Sequence, residues 1–106
     1  QVTTFTLSDF GRTFQPASGA GTDHGWGNHH FIIGGAVRGG EMFGRYPTLL
    51  RAGPDDADTA GRWIPTTSVE QYGATLARWF GVPEASLASV FPNLSRFASS
   101  DLGFVA

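Results

Sequence analysis

The stretch GTDHGWGNHHFIIGG, from Gly21 to Gly35, decides how this chain is read. It opens in glycine and small polar residues, gathers all three histidines (His24, His29 and His30), and closes on Phe31-Ile32-Ile33 before Gly34-Gly35. A short apolar run bounded by glycine predicts a compact buried strand. The residues ahead of it, Gln15 to Asn28, show no periodicity and predict a loop rather than a core element. Titratable groups are thus placed on a loop leading into a strand.

Working outward, Val2 to Leu7 is rich in β-branched and aromatic residues and predicts a strand buried on both faces. Asp9 then stands at the C-terminal end of that strand, the end at which open α/β sheets bind ligands. Downstream, Ala36 to Gly44 predicts a short hairpin, with Gly39-Gly40 supplying positive φ at its turn. Arg45 to Pro65 is irregular and reads as a surface excursion carrying Asp55, Asp56 and Asp58. A helix is predicted from Thr67, with Thr67 and Glu70 as a capping box and Val69, Tyr72, Leu76, Ala77 and Phe80 as its buried face. Gly81 falls at the left-handed C-cap position and Pro83 blocks continuation. A helical turn over Glu84 to Val90 and an extended tail complete an α/β pattern of buried strands, a hairpin and one amphipathic helix. The whole of 1–106 reads as one segment. Its opening lacks Met and enters a strand in mid-flow, which points to a fragment that is incomplete alone.

Bulk composition narrows the function classes. The 106 residues are 41% hydrophobic, as in a globular chain, yet only 15% are charged, well below the roughly 25% usual for soluble domains. So little charge implies burial against another surface, either the N-terminal remainder of the same protein or another chain. A net charge of -2, with all seven basic residues being scattered arginines, gives no footprint for nucleic acid or anionic membrane. No apolar run reaches the ~20 residues of a membrane span. The absence of cysteine excludes disulfides, thiolate metal sites and cysteine nucleophiles. No GxSxG elbow or phosphate-binding GxxxxGK[ST] loop occurs.

Asp9, Asp23 and His24, with His29 and His30 nearby, form the one credible chemical grouping. Imidazole nitrogen and carboxylate oxygen together suit a divalent metal such as zinc, and mixed Asp/His sites suit phosphoryl or sulfuryl oxygen chemistry. Plainer readings stand beside this one. Asp9 before Phe10-Gly11 is also a common turn former. His29 reads as an exposed loop residue, and His30 as a ligand or a polar residue closing the strand. Trp26 reads as packing, and the acidic trio as a solvated face, since it lacks a calcium-loop pattern.

The order of these pieces resembles the closing part of alkaline phosphatase and sulfatase superfamily enzymes. Thr6-Leu7-Ser8-Asp9-Phe10-Gly11 is similar to their first metal-binding element, Gly21-Thr22-Asp23-His24 and His30-Phe31-Ile32-Ile33-Gly34 to the second. The run Thr67 to Pro83 is similar to their late helix. More closely, Ser8 to Thr13, Thr22 to Gly25, Gly34 to Gly40 and Val90 to Leu94 resemble an uncharacterised bacterial family within that superfamily, and the likeness covers nearly the whole chain. It implies the C-terminal portion of an alkaline-phosphatase-like fold. Asp9, Asp23, His24 and His30 would be the metal set, with Asp23 either a ligand or the residue orienting His24. Zinc would be the metal, with manganese or calcium as alternatives, and the substrate a small ester. It also implies a periplasmic or secreted protein. Phe10 stands where the family has a metal-binding histidine, and the family's nucleophile has no counterpart here.

Three functional readings follow. The first is the C-terminal segment of a metal-dependent hydrolase or transferase acting on phosphate or sulfate esters. The second is a non-catalytic binding or assembly module that keeps the fold. A third is a small carbohydrate-binding domain using Trp26, Tyr46 and Trp63.

Overall fold

The structure, a computed structural model, describes all 106 residues. It is a mixed α/β chain with two small antiparallel sheets and two helices. Strand β1 (Thr3–Phe5) pairs with β4 (Ile32–Gly34), and β2 (Gly11–Pro16) with β3 (Thr22–Gly25); helices α1 (Val69–Phe80) and α2 (Leu87–Val90) follow. Two compact units result. One comprises Gln1–Thr4, Ile33–Arg45 and Thr67–Ala106, the other Phe5–Ile32 and Tyr46–Thr66.

Expectation and structure differ first at the strands. The opening strand is not buried on both faces: Val2, Phe5 and Leu7 are exposed. Phe31 and Ile33 are exposed as well. The Gln15–Asn28 loop instead contributes to two strands, with Thr-Asp-His-Gly itself forming β3. Glycine works here by close approach rather than by flexibility. A Cβ on Gly11 would lie 2.1 Å from the Gly27 carbonyl oxygen, and one on Gly25 2.9 Å from the Arg12 backbone. The Ala36–Gly44 hairpin does not form; its start makes a single antiparallel bridge, Val37 to Val105, although Gly40 does take a positive φ of 76°.

In the first unit the core is built on α1. Its N-cap is Ser68, one residue later than the sequence suggests, and Gln71 completes the reciprocal box: the Gln71 amide donates to Ser68 Oγ and the Ser68 amide to Gln71 Oε1, each at 3.0 Å. The buried face also differs in part from the expected one, though Tyr72 and Ala77 do pack inward. Tyr72, Ala74 and Thr75 are buried, while Val69 and Phe80 are exposed. Ala74 packs with Leu87 of α2 and with Leu94, flanked by Ala77, Val82 and Phe91. Tyr72 and Phe43 both meet the buried Phe104 ring. The helix ends where expected, Gly81 adopting φ 111° and donating to the Ala77 and Arg78 carbonyls. Arg78 then forks onto Glu84, Nε to Oε2 at 2.6 Å and Nη2 to Oε1 at 2.7 Å, tying α1 to the turn before α2.

The second unit is organised by the acidic trio, of which Asp58 is solvated as expected but the other two are not. Asp55 and Asp56 are buried. Asp55 Oδ2 accepts from the Thr48 amide at 2.7 Å. Asp56 accepts four backbone amides: Ala52 and Gly61 on Oδ2, Asp58 and Arg62 on Oδ1, at 2.9 to 3.1 Å. A carboxylate can satisfy that many donors because its two oxygens offer about four lone-pair sites. Asp58 Oδ1 takes the Ala60 amide at 2.7 Å. Short polar side chains thus replace secondary structure across a segment with no periodic pattern. The loop edge then joins β2, Phe14 and Gln15 donating to the Gly61 and Ala60 carbonyls at 3.1 and 2.9 Å.

Two outcomes follow. Replacing Ser68 by Ala removes one half of the capping box and destabilises the protein by ~1 kcal/mol in urea denaturation, with Thr67→Ala costing less. Burial on its own would raise the Asp56 carboxyl, but its four amide donors overcome this and hold it down to about 2. A lowered native value means that the stabilisation is complete above the ordinary carboxyl pKa of 3.8 and is lost as pH falls from there through about 2. Melting temperatures measured across that window fall with acid in the wild type, and Asp56→Asn lies lower at neutral pH with a flatter acid limb.

Candidate functional site

All the residues singled out for chemistry lie in the second unit. Arg12 on β2 and His24 on β3 are register partners. The Phe10 ring lies 4.3 Å from the His24 imidazole, centre to centre, and the Arg12 guanidinium carbon 5.5 Å from the Phe10 ring centre. An aromatic face attracts a cation above it, so Phe10 steadies Arg12 while it flanks His24. Arg12 Nη1 also donates to the Thr22 carbonyl at 3.0 Å. The result is an exposed cluster of guanidinium, phenyl and imidazole beside the start of β2. His24 is solvent-exposed and its ring nitrogens make no hydrogen bond. The Asp9 carboxylate, two residues before β2, is likewise exposed and unengaged.

Asp23 behaves differently. Its Oδ1 accepts the His24 amide at 2.7 Å and its Oδ2 the Arg62 Nη2 at 3.0 Å. Its own amide donates to Thr13 Oγ1 at 3.0 Å, where the β2–β3 register shifts and the regular ladder is interrupted. Asp23 is therefore an anchor of β3. Asp23 and Arg62 also line a shallow groove of about 340 Å³ with Thr13, Gln15 and the Pro16–Ser18 turn.

His30 Nδ1 lies 3.2 Å from Thr6 Oγ1, and the same hydroxyl accepts the Phe31 amide at 2.9 Å, so this histidine helps fasten the chain entering β4. Partial burial, and secondarily its neighbour His29, lower the His30 pKa from 6.5. His29 stacks on Tyr46 with ring centres 4.7 Å apart. Trp63, considered for sugar binding, is buried and packs against Phe14 at 5.8 Å, whereas Trp26 is 58% exposed.

The four residues expected to hold a metal therefore divide: Asp9 and His24 have unengaged donor atoms, while Asp23 is bonded to the His24 amide and Arg62 and His30 to the Thr6 hydroxyl. No group of three or more His, Asp or Glu is arranged to hold a metal ion. These residues alone do not make a closed ion site. Sequence reasoning assigns no role to Arg12 or Arg62: Arg12 stands there inside the Ser8–Thr13 motif and Arg62 only among scattered basic residues. The alternation of Arg12 with Phe10 points to a shared face, but Arg62 cannot be linked to Asp23 without the intervening loop.

Fold and site together define a small α/β chain with a polar cluster set on a two-stranded ribbon. A family model described as "Protein of unknown function (DUF1501)" matches residues 1–76, and the chain belongs to that family. No curated protein and no solved structure matches it. The likeness to alkaline phosphatases and sulfatases is corrected accordingly: the matching family is one of unknown function, and nothing supports a relationship to that superfamily. Three- to six-residue motifs rich in Asp, His and Gly are too short to establish such a relationship, and Thr22 to Gly25 lies in a strand rather than a metal-binding loop. No helix is long and apolar enough to cross a membrane.

Proposed function

We propose that this chain supplies part of a site that binds and hydrolyses phosphate or sulfate esters, with Arg12 and His24 as its contacts to the ester. The observation that carries the reading is the cross-strand pairing of an exposed guanidinium with an imidazole whose nitrogens make no hydrogen bond. Guanidinium is planar, permanently charged and matched to two oxygens of a tetrahedral oxyanion. With Nη1 held by the Thr22 carbonyl, Arg12 keeps other donors for a ligand. His24 has the chemistry to accept a proton from an attacking hydroxyl or to donate one to the departing oxygen. Phe10 keeps water from one face of the imidazole.

The rest of the centre must come from outside these residues, either another part of a longer α/β protein or a second chain. A divalent cation, zinc first and manganese or calcium as alternatives, would find Asp9 and His24 here and would need further donors. When bound, such an ion would polarise the ester oxygen.

Binding of inorganic phosphate and sulfate, followed through the His24 ring resonances by NMR, tests the reading. Both anions shift those resonances, and Arg12→Ala weakens binding about tenfold, the scale of a single charge-assisted hydrogen bond. Hydrolysis of p-nitrophenyl phosphate against p-nitrophenyl sulfate then separates the two ester classes. If neither anion perturbs His24, the proposal is wrong.

A second reading, a non-catalytic assembly module, is favoured by α1. Val69, Leu76 and Phe80 recur at helical spacing, and Phe80 is 81% exposed. Both charged residues flanking that stripe are engaged, Glu70 with Asn93 and Arg78 with Glu84. A helix apolar on more than one side belongs in the interior of something larger. On this reading the chain self-associates or captures hydrophobic dye, and Phe80→Glu abolishes both. A wild-type chain that sediments as a monomer and binds no dye removes it.

A further inference from the structure

His24, one of the two groups proposed to touch the ester, is held through its backbone by a residue outside the Arg12–Phe10–His24 cluster. Arg62 reaches β3 from the end of the Asp56 loop and makes three bonds at one place. Nε donates to the His24 carbonyl at 2.9 Å, Nη2 to Asp23 Oδ2 at 3.0 Å, and Nη1 to Asp58 Oδ2. Its own backbone is fixed too: the amide donates to Asp56 Oδ1 at 3.0 Å and the carbonyl accepts from Ala57 at 2.9 Å. One guanidinium therefore grips the Asp23–His24 dipeptide both at a side chain and at a carbonyl, from a loop that is itself pinned.

From this geometry we infer that Arg62 is a positioning residue for His24, and that Asp23 serves in the same latch instead of reaching a ligand or metal. This rests on the ester-binding reading of Arg12 and His24. The planar fork explains why arginine stands here. Nε, Nη1 and Nη2 of one rigid group address three separate acceptors, which a lysine ammonium on a flexible stem does less well. The pair with Asp23 is exposed, 31% and 63% at the two side chains, so its contribution to stability is small. Its effect is geometric. Releasing the His24 carbonyl frees β3 to shift at a place where the ladder already breaks and only the Thr13 hydroxyl holds the Asp23 amide. The imidazole then no longer stays across from Arg12.

The test uses Arg62→Ala, Arg62→Lys and Asp23→Asn, alongside Arg12→Ala, with inorganic phosphate as the probe. Arg62→Ala lowers phosphate affinity about tenfold with little change in melting temperature, and free guanidinium at sub-denaturing concentration restores much of it. Arg62→Lys recovers little. Asp23→Asn, which leaves the bond to the His24 carbonyl, weakens affinity roughly threefold. A merely structural role would not give guanidinium rescue of affinity at constant melting temperature. If Arg12→Ala weakens phosphate binding while Arg62→Ala and Asp23→Asn match the wild type, the latch is wrong and the ester site stands. If Arg12→Ala has no effect, the ester site itself is wrong. Should Arg62→Ala fail to fold, wild-type affinity in both Arg62→Lys and Asp23→Asn overturns the latch.

Discussion

The Asp56 carboxylate, held by four backbone amides, is the interaction on which the second unit depends. Residues 46–66 form no helix and no named strand, so their peptide groups cannot satisfy one another through a regular ladder. A buried amide without an acceptor is costly, and one ionised side chain placed centrally supplies four acceptors at once. The negative charge survives burial because those donors stabilise it and hold the carboxyl below the usual carboxylate range. What this arrangement delivers is position. Arg62 emerges next to a fixed amide, and the Trp63 carbonyl takes the Gly27 amide at 2.8 Å, so the loop fastens β3 along its length and just beyond its end.

Legibility in the sequence follows the range of the interaction that determines each element. Helix α1 is readable because its determinants lie within a few residues: a hydroxyl N-cap, a periodic stripe and a terminal glycine. Even so, three hydroxyl residues in a row, Thr66, Thr67 and Ser68, offer competing caps. Gln71 settles the matter by reaching back to Ser68. The β2–β3 ribbon is hidden because its glycines look like loop punctuation. In the fold they permit backbone approach closer than any side chain allows, as at Gly11 against Gly27. Asp55 and Asp56 mislead for a related reason. Acidic clusters are normally solvated, and only the surrounding amide donors make burial tolerable.

The candidate site divides along the same line. Asp9 and His24 can be marked from residue type alone, since an imidazole on a glycine-rich segment stands out. Whether a given carboxylate is available to a ligand is a question about its partners. Asp23 is adjacent to His24 and chemically equivalent to Asp9, yet its oxygens face an amide and a guanidinium thirty-nine positions downstream in the chain. Phe10 marks a departure from the expected metal-binding pattern. In the structure its ring occupies one side of the imidazole and carries Arg12 over its face, so a residue read as a loss organises the cluster that remains.

The balance of charge explains why such a cluster would not suffice alone. Arg62 faces two carboxylates, Asp23 and Asp58, so its positive charge is more than compensated before any ligand arrives. Arg12 makes no ion pair and is the uncompensated cation beside His24. A single exposed guanidinium gives an oxyanion at most a few kcal/mol, and screening by water and salt reduces that further. On the ester-binding reading, tight binding of phosphate or sulfate therefore requires positive charge beyond that of Arg12. The Asp9 carboxylate and the His24 ring nitrogens each keep metal-ligating atoms that make no hydrogen bond within the chain.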